Sequence, residues 1–80
     1  MGFNDILVKY GTTVMDEESE EYFSAIVDIA VNEYQIPVKK ICREFGVSKP
    51  TVERWIQGRN APHPIMRKVA LERIIEMIEG

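Results

Sequence analysis

One cysteine and one histidine in 80 residues remove whole classes of chemistry at the outset. A lone thiol, Cys42, cannot close an intrachain disulfide, and its place on an apolar helix face suits a small buried hydrophobe rather than a reactive group. The single histidine, His63, stands between two prolines, so the chain cannot assemble a histidine-based metal cluster or a catalytic triad by itself. The five glycines, at 2, 11, 46, 58 and 80, are too scattered for a phosphate-binding loop. The carboxylates between 16 and 21 lack the alternating oxygen ligands and central glycine of a calcium loop. No apolar run is long enough for a signal peptide or a membrane span. Gly2 follows Met1, but Ile6 stands where a myristoylation signal needs serine or threonine. The expectation is a cytoplasmic protein that is not an enzyme, with no cofactor, no membrane association and no small-molecule ligand.

What the chain does contain is concentrated between Val38 and Gln57, VKKICREFGVSKPTVERWIQ, followed by Gly58. Val38, Ile41, Cys42 and Phe45 recur at the three-four spacing of one helix face, and Val52, Trp55 and Ile56 mark a second. Between them Gly46 falls where the first helix stops and the backbone needs a positive φ. Val47 follows as an apolar plug, Ser48 is a good N-cap, and Pro50 sits in the first turn, where its missing N–H costs little. Two short helices joined by a tight turn over one core are the outline of a DNA-binding helix-turn-helix.

This block resembles the helix-turn-helix of the phage repressor and Cro type. The likeness continues into Gly58-Arg59-Asn60-Ala61-Pro62, which is similar to that family's exit turn after the recognition helix. It covers about half the chain closely. Where the family usually has alanine in its second helix this chain has Cys42, still small enough for close approach of the two helices. The resemblance implies an all-α, lambda-repressor-like domain of four to five helices with a central helix-turn-helix. Residues 1–80 then form a single domain, with the helix-turn-helix core at 38–58 and an N-terminal extension at 1–15.

Net charge is −3 and the pI is about 5.1, which on its face argues against a nucleic-acid partner. The distribution removes the objection. Residues 1–36 hold one base, Lys9, against eight acids, a net of −7, whereas residues 38–68 hold eight bases against Glu44 and Glu53, a net of +6. Phosphate affinity depends on the local field at the docking face, which screening over roughly 8 to 10 Å separates from distant charge. An acidic opposite face would weaken non-specific binding and favour one orientation on the duplex.

Along the rest of the chain, periodicity predicts a short helix over Phe3–Tyr10 capped at Asn4, with Phe3, Ile6, Leu7 and Tyr10 on one face. A second helix from Asp16 to Tyr34 starts on acidic residues, favourable at its positive end, and turns Phe23, Ile26, Val27, Ala30 and Tyr34 inward. The last helix, Ile65–Ile78, carries Met66, Val69, Ala70, Ile74 and Met77 on one face, with Leu71, Ile75 and Ile78 on an adjacent one. That apolar arc is wider than one packing contact needs. The N-terminal helix covers it, or a second copy does, making Leu71, Ile75 and Ile78 a homodimer surface.

With Val52, Trp55 and Ile56 inward, the second motif helix turns Lys49, Pro50, Glu53, Arg54 and Gln57 outward. Together with Ser48 at its start, these are the expected base contacts. Arg54 suits the two acceptors of guanine, Gln57 adenine, and Glu53 a cytosine amino group. By similarity to the family's docking, Lys39, Lys40, Arg59 and Asn60 act as phosphate clamps, which set register rather than sequence. The expectation is a small transcriptional regulator that binds double-stranded DNA sequence-specifically, with its recognition helix in the major groove. The alternatives are a DNA-targeting module of a transposase or recombinase, and an antitoxin-like protein-interaction adaptor. Salt separates the classes, since a DNA binder loses affinity steeply as salt rises.

Overall fold

A computed structural model of the chain describes residues 3–9 and 19–80. Five helices follow one another: α1 (Phe3–Lys9), α2 (Glu20–Asn32), α3 (Val38–Phe45), α4 (Lys49–Ile56) and α5 (Pro64–Glu79). Among the described residues there are no strands, as expected for an all-α domain with a central helix-turn-helix. Tyr10 and the acidic residues at 16–18 lie outside the described residues. Asn4 falls inside the first turn of α1 rather than before it.

Local chemistry explains where the helices start and stop. Ser19 opens α2 by accepting from the Tyr22 N–H at 3.1 Å, with Glu20 and Glu21 in the first turn. Helix α2 ends earlier than its periodicity predicts, at Asn32, because the chain turns through Gln35 at φ 55° to aim Ile36 back into the core, where its N–H reaches the Ala30 carbonyl at 3.0 Å. Gly46 closes α3 at φ 63° in the left-handed region, as the motif demands. His63 opens α5, its Nδ1 accepting from the Ile65 N–H at 3.3 Å.

The core is organised around α2, which packs against α1, α4 and α5. Tyr22, Phe23, Ile26, Val27, Ile29 and Ala30 are all buried. Tyr22 and Ile29 join the expected face, so α2 buries an arc wider than a single stripe, as befits a helix with neighbours on several sides. Trp55 from α4 is edge-on to Phe23 at a centroid distance of 5.3 Å and to Phe45 at 5.9 Å, so one ring locks α2, α3 and α4 together.

Helix α5 requires a correction. Leu71, Ile74 and Ile75 are buried in the core, with Leu71 2% and Ile75 9% exposed, and Ile78 is half-buried against the same cluster. The arc assigned to a homodimer is therefore consumed within the chain, where α5 meets α2. Ile65, Met66 and Val69 stay exposed instead, at 76%, 55% and 57%. Apolar residues nearly encircle this helix, and periodicity alone does not say which side turns inward. Arg67 fixes the rotation: its Nε donates to the Pro62 carbonyl at 2.8 Å and its NH2 reaches Glu20 at 3.4 Å. Arg73 bridges to Glu44 on α3 at 3.1 Å, a half-exposed pair that adds little stability.

Candidate nucleic-acid interface

Helix α4 begins with Ser48, whose Oγ accepts from the Thr51 N–H at 3.4 Å and shares a hydrogen bond with Thr51 Oγ1 at 2.9 Å. The Ser48 hydroxyl is thus engaged in capping, and any contact to a base would be additional to that role. Pro50 lies in the first turn without disrupting the helix. Val52 and Trp55 are buried, while Ile56 is only half-buried at the rim. That rotation turns Lys49, Pro50, Glu53, Arg54 and Gln57 to the surface together, and all five are exposed. Among the described residues, no ion pair or side-chain hydrogen bond ties down Glu53, Arg54 or Gln57.

The helix ends on a tight closure. Gly58 adopts φ 73°, the Gly58 N–H bonds the Trp55 carbonyl at 3.1 Å, and the Arg59 N–H bonds the Arg54 carbonyl at 2.9 Å. This double bond pattern around a left-handed glycine satisfies the last carbonyls of the helix from its own chain. One carbonyl is served from elsewhere: Ser24 Oγ on α2 donates to the Ile56 oxygen at 3.0 Å. Sequence reasoning missed Ser24, because a serine within a helix gives no local sign that its hydroxyl meets another element.

The expected clamps flank this helix in the chain. Lys39 and Lys40 are exposed in the first turn of α3. The N-cap of that helix is Pro37, which supplies no side-chain acceptor, and its carbonyl takes the Lys40 N–H at 2.9 Å. Arg59 and Asn60 are exposed in the exit turn, where Asn60 Oδ1 already accepts from the Ala61 N–H at 2.9 Å. The Asn60 amide NH2 is then the group it can offer a phosphate. Arg67, counted in the basic segment, has a side chain only 12% exposed and serves the fold.

The acidic half does not lie wholly opposite the basic one. Glu20, Glu21 and Asp28 line, with Ser24, Ala25 and Gly58, a surface cleft of about 230 Å³ between α2 and the exit turn. The negative edge of α2 therefore borders the Gly58 side of the interface, whereas the exposed bases Lys39, Lys40 and Arg43 of α3 and Lys49 of α4 are not among the residues that line that cleft.

No group of three or more histidine, cysteine or carboxylate side chains that could hold a metal ion occurs among the described residues. Nor, among them, is any helix long and apolar enough to cross a membrane. A family model described as a homeodomain-like domain matches residues 25–60. That range runs from the middle of α2 to the exit turn, taking in α3, α4 and the Phe45–Trp55 ring pair, with Phe23 just outside it. The likeness is to helix-turn-helix DNA-binding domains in general and does not single out the phage repressor and Cro type. No curated protein and no solved structure matches the chain.

Proposed function

We propose that the chain binds double-stranded DNA sequence-specifically, laying α4 in the major groove as a small transcriptional regulator. The observation that carries this reading is the division of α4 into a face locked in the core by Val52 and Trp55 and an exposed face on which Glu53, Arg54 and Gln57 have no ion pair or side-chain hydrogen bond among the described residues. Eight residues of helix span about 12 Å, close to the width of the major groove. Arg54 is the principal base reader, suited to a guanine, with Gln57, Glu53 and Lys49 around it. Lys39, Lys40, Arg59 and Asn60 hold the phosphates. The repressor-like glycine, plug, cap and proline of the turn support the regulatory reading.

The homeodomain-like match favours a second reading as well, the targeting module of a transposase or recombinase. Selection of bound sequences from a random duplex pool tests DNA binding directly and then separates the two. Selected sites that recur upstream of genes support a regulator; sites at the ends of repeated elements support a targeting module. Absence of duplex binding at low salt would move the function to a protein-interaction adaptor.

Clamps and readers are expected to differ in their salt behaviour. Lys39→Ala and Arg59→Ala should weaken selected and scrambled duplexes by similar factors, each lowering the slope of log affinity against log salt by about 0.9. The loss at Arg59 should be the smaller of the two, because the acidic edge of α2 lies beside its turn. Titrations at several salt concentrations measure both effects.

A further inference from the structure

We propose that Ser24 is a positioning residue for DNA recognition, holding the C-terminal end of α4 at a fixed height on α2 so that Arg54 and Gln57 meet base edges in register. The inference rests on the reading of α4 as the recognition helix.

Val52 and Trp55 press α4 against the core, but apolar packing is non-directional and resists separation better than small sliding along the helix axis. The cap at Ser48 ties the first turn only to its own chain. At the other end, the Glu53, Arg54 and Trp55 carbonyls accept from Gln57, Arg59 and Gly58, again within the same segment. Those bonds travel with the helix if it shifts. The bond from Ser24 Oγ to the Ile56 oxygen does not, because its donor sits 32 residues away on α2.

Gly58 reinforces the same point. A β-carbon there would lie 3.5 Å from Ser24 Oγ, so the left-handed closure of α4 is seated directly over the serine. Gln57 follows Ile56 directly and Arg54 stands two residues before it, which makes them the expected readers nearest this anchor in the chain. Lys39 and Lys40, on α3, are not attached to it. Loss of the Ser24 hydroxyl therefore disturbs base readout and leaves the phosphate contacts of Lys39 and Lys40 in place.

The test compares wild type, Ser24→Ala, Ser24→Thr and Ser24→Cys by binding titration on a selected duplex and a scrambled one, with thermal unfolding measured alongside. Ser24→Ala is expected to lose about fivefold in affinity for the selected duplex, the scale of one net hydrogen bond, and to change by less than about twofold on the scrambled one. Ser24→Thr keeps the hydroxyl, has room for its methyl group in the adjoining cleft, and should restore selectivity. If the alanine variant does not fold, Ser24→Cys keeps the size while weakening the donor and carries the same comparison. Equal losses on both duplexes, or selectivity retained in the variant that lacks the donor, would overturn the positioning role alone. A wild type that shows no preference between the duplexes would overturn the recognition-helix reading with it.

Discussion

Trp55→Ala is expected to unfold the domain or bring it close to unfolding. The indole is 5% exposed and packs edge-on against Phe23 and Phe45, so its removal opens a cavity where α2, α3 and α4 meet. Truncating a buried tryptophan costs about 3 to 5 kcal/mol, and each aromatic pair contributes about 0.5 to 1.5 kcal/mol beyond the area it buries. An 80-residue domain has roughly 4 to 12 kcal/mol of total stability to lose. Denaturant titration followed by circular dichroism measures the change. A variant with an unchanged midpoint would mean that α4 is rotated, and the assignment of its outward face would fall with the core assignment.

Leu71→Glu is expected to be at least as damaging, for a different reason. The side chain is buried where α5 meets α2, and a carboxylate there would lose its hydration without a partner. Replacement forfeits about 1.5 to 3 kcal/mol of apolar burial and adds a desolvation penalty of several kcal/mol per unpaired charge. The domain should be unfolded at 25 °C, as seen by loss of helical circular dichroism. A folded variant whose mass in solution is half that of the wild type would instead restore Leu71 to a surface between copies of the chain.

These two residues also show how far the sequence could be read. Trp55 was legible because everything that orients it is local: Gly46 must take a positive φ, Ser48 must cap, and the spacing to Val52 then decides which side of α4 faces inward. The outward set, Lys49, Pro50, Glu53, Arg54 and Gln57, follows from the same rotation and emerges exposed together. Leu71 was not legible in this way. Helix α5 has apolar residues on adjoining faces, and the choice between them is made by long-range partners, the packing of α2 and the attachment of Arg67 to Pro62 and Glu20.

Polar residues with tertiary duties were equally silent. Ser24 and Arg67 carry side chains that sequence reasoning assigns to solvent, yet each reaches a partner more than thirty residues away, Ile56 and Glu20, and Arg67 also closes on the turn at Pro62. The charge map was legible in its two halves, but its geometry was not. The acids of α2 were expected opposite the basic face, whereas Glu20, Glu21 and Asp28 come to rest beside Gly58 because α2 and α4 pack directly on each other.

The central claim is that the free face of α4 reads bases, and Arg54→Ala tests it most directly. Binding is measured on a duplex selected by the wild type, on versions of that duplex altered one base pair at a time, and on a scrambled sequence. The account predicts a loss of about 1 to 3 kcal/mol on the selected duplex, discrimination abolished at one base pair and kept at the others, and little change on the scrambled sequence. An equal loss on every duplex, with discrimination intact at all positions, would reduce Arg54 to a phosphate contact and contradict the account.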